Sequence, residues 1–224
     1  MPVRDNLATI RDNIEAACRR TGRDPASVRI IAVTKYVSVE RAKEALAAGV
    51  VDLGENRDDG LLQKYEAIGR EATWHFIGTL QSRKVKNIID KVDYIHSLDR
   101  LSLAREIEKR ATKRIKCFVQ VNVSGEETKH GLSKEEVIPF VEQLRDFTKI
   151  EVVGLMTMAP YTDDEQLLRQ CFRQLKQLQQ HVQALHIANV RCTELSMGMS
   201  NDYVIAVEEG ATFLRLGTSL VGEE

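Results

Sequence analysis

The sequence predicts an α/β protein whose parallel strands close into a (β/α)8 TIM barrel. Short apolar segments alternate with longer helical patterns along the whole chain, and eight such apolar segments occur, the number of strands in this barrel. An open doubly wound sheet is the alternative, but no Gly-rich dinucleotide loop follows the first segment. No Pro-, Gly- or Ser-rich linker divides the 224 residues, so we expect a single domain over residues 1–224.

The eight apolar segments have the length and composition of buried strands. In chain order they lie at 29–33, 50–54, 74–78, 92–96, 117–121, 152–156, 192–196 and 212–216. The strands of such a barrel all end at one face, where ligands bind. We therefore expect functional residues just after the segments.

Helical patterns occupy the intervals between these segments. Apolar residues three and four apart predict helices over Val3–Arg20 and Leu168–Leu185, and Ser133 with Glu136 fits a capping box. Only residues 219–224 remain after the last segment and the Gly217-Thr218 pair that follows it. We therefore expect the N-terminal helix to cover part of the barrel beside the last strand.

Composition and charge indicate a globular protein of the cytoplasm. The 32 basic and 33 acidic residues give a net charge of −1, which provides no general attraction to nucleic acid or to an anionic membrane. No apolar run approaches the ~18–20 residues of a membrane span, and Met1–Arg20 lacks the apolar stretch of a signal peptide. The four scattered cysteines fit neither a disulfide framework nor a zinc site.

Two loops have the small and hydroxyl-bearing residues of an anion site. Ser196–Asn201 precedes a helix predicted over Asp202–Glu209, and helix N-termini present free N–H groups. Gly217–Ser219 follows the last strand. Phosphate sites in these barrels often lie after strands seven and eight. The two loops therefore predict a phosphate site, although ordinary turns have the same composition.

Three further residues near strand ends are candidates for chemistry. Lys35 is expected to be partly desolvated, which would make its amine nucleophilic, unless it extends into solvent. Arg215 interrupts an apolar strand and can hold a phosphate, a carboxylate or a pyridine nitrogen, or pair with an acid such as Glu194. His75 can contact a ligand or be a structural histidine. A lysine amine opposite a phosphate site is what pyridoxal phosphate requires.

Six segments in collinear order carry a family resemblance. They are 32–35, 54–56, 74–84, 154–157, 195–202 and 215–218. The stretches Trp-His-Phe-Ile-Gly and Ser-Met-Gly-Met-Ser are the most specific of them. The chain resembles the YggS/PROSC family of pyridoxal-phosphate-binding proteins, also called PLP homeostasis proteins. The resemblance implies a barrel of the alanine-racemase N-terminal-domain type, without the second β-domain of those enzymes.

The resemblance also implies that the chain binds pyridoxal 5'-phosphate (PLP) as an internal aldimine at Lys35. Its other cofactor-binding residues are then Asn56, His75, Met197, Ser200, Arg215, Gly217 and Thr218. Ser200, Gly217 and Thr218 would hold the phosphate, and Arg215 would face the pyridine nitrogen. Asn56, His75 and Met197 would line the cofactor.

The family is associated with vitamin B6 homeostasis and has no firmly established catalytic activity. An arginine beside the pyridine nitrogen disfavours protonation of the ring, and an unprotonated ring is a poorer electron sink. Racemisation also needs a second acid or base, for which the sequence offers Tyr36, Tyr161 and Tyr203 near predicted loops. We therefore predict a non-catalytic PLP carrier, with PLP-dependent apoenzymes as partners. The racemase dimerisation domain is absent from the sequence, so we predict a monomer.

Two alternatives stay open at this stage. A PLP-dependent amino-acid racemase or related enzyme would use the same lysine and the same phosphate site. A barrel that binds a phosphosugar would use the phosphate site and leave Lys35 unmodified.

Overall fold

The computed structural model describes residues 1–223, and its eight parallel strands form a closed barrel. The strands are β1 (Arg29–Val33), β2 (Asp52–Glu55), β3 (Thr73–Phe76), β4 (Tyr94–Leu98), β5 (Ile115–Gln120), β6 (Ile150–Met156), β7 (Val190–Ser196) and β8 (Phe213–Leu216). Each strand pairs with the next, and β8 closes the barrel on β1, with Ile31 opposite Arg215. The predicted closed barrel is therefore confirmed, and the open-sheet alternative is wrong.

Helices connect the strands and surround the barrel. They are α1 (Val3–Thr21), α2 (Val39–Ala47), α3 (Asp58–Ile68), α4 (Val85–Ile88), α5 (Leu101–Arg110), α6 (Lys134–Gln143), α7 (Glu165–Gln183) and α8 (Tyr203–Glu208). The predicted capping box of α6 forms, because the Ser133 N–H donates to a Glu136 carboxylate oxygen at 2.8 Å. Within residues 1–223, no helix combines the length and apolar character that crossing a membrane requires.

The N-terminal helix α1 lies between α8 and α2, where a helix following β8 would lie in a regular (β/α)8 barrel. Asn6 donates to the Leu220 carbonyl at 2.9 Å, and Asn13 donates to the Tyr203 hydroxyl at 2.8 Å. The apolar face of α1 is buried. The expectation that this helix covers the barrel beside the last strand is therefore confirmed.

The interior of the barrel contains both an apolar layer and buried polar groups. The apolar layer consists of Ile31, Tyr94, Phe118, Met156 and Phe213. The buried polar side chains that share the interior include His75, His96, Ser196 and Arg215. Buried polar groups need partners, and those of the interior lead to the functional end of the barrel.

Candidate functional site

A cavity of about 460 Å³ opens where the loops after β1, β2, β7 and β8 meet. Its volume falls within the roughly 300–1,000 Å³ of small-molecule and cofactor sites. Six predicted site residues line this cavity: Lys35, Asn56, Ser200, Arg215, Gly217 and Thr218. The carboxyl ends of the strands thus bring an amine, a guanidinium and hydroxyl groups to one cavity.

Lys35 lies in the turn that follows β1, and its side chain is exposed. Its Nζ lies 4.8 Å from the centroid of the Tyr36 ring, and Tyr36 is 68% exposed. The expectation of a partly desolvated lysine is wrong. Thr34 is the last buried residue before Lys35, and the chain then turns toward solvent. Its exposed position leaves the amine accessible to a molecule that enters the cavity.

A buried polar group supports the ends of β1 and β2 behind Lys35. The Thr34 hydroxyl donates to Oε1 of Glu55 at 2.7 Å, and Lys64 Nζ lies 2.8 Å from the same oxygen. Both ionic side chains are almost completely buried. Sequence analysis missed this pair, although Lys64 falls on the core-facing side of α3 with Leu61.

The loops after β7 and β8 are joined by two serines. The Ser200 and Ser219 hydroxyls lie 2.9 Å apart, and the Ser219 N–H donates to Ser200 Oγ at 3.1 Å. Within residues 1–223, the backbone N–H groups of Ser200, Asn201 and Thr218 have no hydrogen-bond partner. Such converging free N–H groups, with hydroxyls beside them, are suited to an anion. Ser219 belongs to the loop predicted for a phosphate, although the family resemblance did not assign it to the cofactor.

The helix predicted after the β7 loop is shorter than expected, spanning only Tyr203–Glu208. Asp202 precedes it, and one of its carboxylate oxygens accepts the Met199 N–H at 2.7 Å. Burial raises the pKa of the Asp202 carboxyl group. The free donors of this loop therefore belong to the turn residues rather than to the end of a long helix.

Arg215 lies on β8 at the inner end of the cavity and is 4% exposed. Its Nη1 donates to Ser196 Oγ at 2.6 Å, and its Nη2 donates to the Thr157 carbonyl at 3.0 Å. Burial lowers the pKa of Arg215 to about 10. Because this value is still well above 7, the guanidinium is charged at neutral pH. It forms no ion pair with any of residues 1–223, so the expected alternative pairing with Glu194 is wrong.

Comparisons with known proteins agree with this geometry. Residues 6–224 match the family model of the alanine racemase N-terminal domain. The pyridoxal phosphate homeostasis protein of Aquifex aeolicus is 41% identical over 223 residues, covering 98% of this chain and 97% of that protein. The protein of the same name from Pseudomonas aeruginosa is 35% identical, covering 98% and 95%. The chain belongs to the pyridoxal phosphate homeostasis protein family.

Solved structures with the same fold are known. PipY of Synechococcus elongatus, in its structure with PLP bound, aligns with a TM-score of 0.85 and 31% identity, covering 98% of this chain and 100% of that chain. An alanine racemase of Clostridium difficile aligns with a TM-score of 0.79 at 16% identity. The alignment covers 98% of this chain and 58% of the longer racemase chain. The second likeness shows the shared barrel fold alone.

Two residues that the family resemblance assigns to the cofactor do not line the cavity. His75 and Met197 are completely buried. His75 is held by Asp52 and His96 in the barrel interior, so β3 meets the cavity through the following residues 77–79 instead. Cofactor contact by His75 and Met197 stays a prediction.

The three tyrosines considered as a second acid or base differ in position. Tyr36 lines the cavity, whereas Tyr161 is 91% exposed and lies outside its lining. Tyr203 is buried and accepts from Asn13. His130 also lines the cavity and was missed, because it stands in a loop with no apolar pattern that would locate it.

Proposed function

We propose that this chain binds PLP in the 460 Å³ cavity and acts as a PLP carrier in vitamin B6 homeostasis. Lys35 would hold PLP as a Schiff base, and residues 1–224 would form one PLP-binding domain. The observation that carries the proposal is the convergence of Lys35, Arg215 and the free N–H groups of the β7 and β8 loops on one cavity. The PLP-bound structure of PipY, at 31% identity, supports it.

Each group would have a distinct role toward PLP. When bound, PLP supplies an aldehyde that condenses with a primary amine, releasing one water, and a ring that withdraws electrons. Lys35 would provide that amine, because it is the accessible lysine of the cavity lining. Ser200 and Thr218, with their free N–H groups, would bind the phosphate. Arg215 would lie against the pyridine nitrogen, where its charge disfavours ring protonation.

The same groups support a carrier rather than a catalyst. An unprotonated ring withdraws electrons weakly, and Arg215 is fixed in its charged form by two neutral partners. A PLP-dependent racemase is the alternative, and Tyr36 and His130 are the cavity residues that could move a proton for it. A rate of L-alanine or L-serine racemisation above that of free PLP, and lost in Lys35→Ala, would favour the enzyme.

The test of PLP binding compares Lys35→Ala with Lys86→Ala, another exposed lysine that lies outside the cavity. The protein is incubated with PLP, reduced with borohydride and digested for peptide mass analysis. We expect a yellow protein whose reduction fixes PLP on the Lys35 peptide, in the wild type and in Lys86→Ala. Lys35→Ala is expected to gain no fixed PLP. Modification of another lysine in the wild type, or none, would contradict the proposal.

We also propose that the protein is a cytoplasmic monomer whose partners are PLP-dependent apoenzymes. The scattered free cysteines support a reducing compartment such as the cytoplasm. Sedimentation velocity tests whether the protein is a monomer, and a stable dimer would contradict this proposal. Transfer of PLP from the reconstituted protein to an apoenzyme, faster than from buffer, tests the partnership.

A further inference from the structure

An unbroken chain of hydrogen bonds leads from Arg215 through the barrel interior to Asp52. Arg215 Nη1 lies 2.6 Å from Ser196 Oγ, and Ser196 Oγ lies 2.8 Å from His96 Nδ1. His96 Nε2 lies 2.9 Å from His75 Nδ1, and His75 Nε2 lies 2.8 Å from Asp52 Oδ1. We call these five residues the interior chain. Each member is less than a tenth exposed, so its hydrogen bonds are shielded from water.

The chemistry of the two ends gives the interior chain a direction. The Asp52 carboxylate can only accept, so His75 Nε2 must carry a proton. Burial lowers the pKa of His75, and burial lowers the pKa of His96 well below its ordinary value, so both rings are neutral at pH 7. The neutral His75 then accepts at Nδ1 from His96 Nε2. His96 in turn accepts at Nδ1 from the Ser196 hydroxyl.

This direction determines what Ser196 offers to Arg215. Because the Ser196 hydroxyl proton points toward His96, a lone pair of its oxygen is left to accept from Arg215 Nη1. The opposite order would aim a histidine N–H at the serine oxygen that already accepts from Arg215. The carboxylate of Asp52 therefore sets the tautomers of two histidines and, through them, the orientation of the arginine.

The histidine rings are also held in place by stacking. His96 stacks on Phe118 with ring centroids 4.3 Å apart, and His75 stacks on Tyr94 with centroids 4.4 Å apart. At the far end, Arg29 donates to the same Asp52 oxygen at 2.7 Å. This ion pair keeps the carboxylate charged, because the pKa of Asp52 is lowered by His75 and Arg29 against the effect of burial. Neither ring can rotate without losing contacts on its faces.

We propose that His96 and His75 are positioning residues for the cofactor: through Ser196 they hold the Arg215 guanidinium in the orientation that contacts the pyridine nitrogen of PLP. The inference rests on the proposed function and assigns His75 a role that needs no contact with PLP. It separates the residues that touch the cofactor from those that orient an arginine from the interior.

The test measures binding of two ligands to His96→Phe. The first ligand is PLP, and the second is its 1-deaza analogue, in which a C–H replaces the ring nitrogen. A phenylalanine keeps the stack on Phe118 but removes both hydrogen bonds of His96. We expect the Kd for PLP to rise about tenfold, the effect of one misplaced charged hydrogen bond, and the Kd for the analogue to stay within about twofold.

Two matched variants accompany this measurement. Tyr94→Phe keeps the ring that stacks on His75 and removes only the hydroxyl that accepts from Arg29, so every hydrogen bond of the interior chain stays, and it should bind both ligands as the wild type does. His96→Asn offers an amide oxygen to the Ser196 hydroxyl, and it should recover most of the affinity for PLP. An equal loss for both ligands, or no loss in His96→Phe, would overturn the proposal.

A second measurement needs no variant and no ligand. Long-range ¹⁵N–¹H NMR of protein labelled at histidine reports which ring nitrogen carries the proton. We expect both His75 and His96 as neutral rings protonated at Nε2 at pH 7. A proton on Nδ1 of either ring would overturn the proposal, even if His96→Phe fails to fold. Wild-type protein that binds no PLP would instead refute the proposed function.

Discussion

Charged residues of this barrel fall into two environments, and the difference determines what each can do. Lys35 is exposed at the cavity, where an amine can react with an entering ligand. Arg215 and Lys64 are buried, and each has fixed partners. A buried charge without a partner costs several kcal/mol. The buried cations therefore orient other groups, whereas the exposed lysine is free to take part in chemistry.

The Lys64–Glu55 pair gives a prediction about stability. Lys64→Met removes the cation and leaves the Glu55 carboxylate, which is 1% exposed, with Thr34 as its remaining partner. We expect the free energy of unfolding in urea to fall by about 3–5 kcal/mol. Arg57→Ala breaks a solvent-exposed pair with Asp59 nearby and should change it by less than about 1 kcal/mol. Equal effects of the two variants would contradict the assignment.

Single residues show where sequence analysis reached its limit. The burial of Arg215 follows from an apolar strand, but its partner does not, because Ser196 reaches it only through the pairing of β7 with β8. The exposure of Lys35 depends on the turn after Thr34, which has no distinctive pattern. Residue type and position therefore indicated the candidates, whereas partners and exposure required the folded chain.

The strands could be predicted as elements because parallel strands buried on both faces are continuous apolar runs. All eight predicted segments coincide with observed strands to within two residues at each end. The order of strands around the barrel follows from the chain order. The interior chain could not be predicted, because it joins β2, β3, β4, β7 and β8 across the barrel.

The loop after β8 gives a prediction about phosphate recognition. Thr218→Val keeps the shape of the side chain but removes a hydroxyl that has no partner within residues 1–223. If this hydroxyl binds the phosphate, the Kd for PLP should rise about tenfold. Binding of pyridoxal, which has no phosphate, should not change, and Thr218→Ser should restore the affinity for PLP. A parallel loss for pyridoxal would place the threonine elsewhere in the site.

The whole molecule combines a shell of helices with a barrel interior that contains both an apolar layer and buried polar groups. Helix α1 completes the shell next to β8, so the strands are enclosed by helices around the barrel. The interior chain then places two uncharged histidines in a space that water does not reach. Folding thus prevents each ring from binding the second proton that would charge it, and this links the stability of the entire barrel to pH.

The sign of this linkage follows from the two states. Unfolded histidines bind protons below their ordinary pKa of about 6.5, whereas burial lowers the pKa of His75 and His96 in the folded barrel. The unfolded state therefore binds more protons as the pH falls below about 6.5, and stability is lost from there down through the lowered pKa values. Protonation of carboxylates with a lowered pKa, such as Asp52, reduces the stability only below about pH 4.

We therefore expect the free energy of unfolding to fall between pH 7 and pH 5, by up to about 1.4 kcal/mol per pH unit for each buried histidine. Urea unfolding at intervals of half a pH unit measures this slope. The slope is proportional to the number of protons taken up on unfolding, and His96→Phe should reduce that number by up to about one. His181→Gln, at an exposed position, should leave the slope unchanged. A stability that is flat across this range would show that the folded barrel takes up protons as readily as the unfolded chain. The assignment of His75 and His96 as neutral rings in the interior chain would then be wrong.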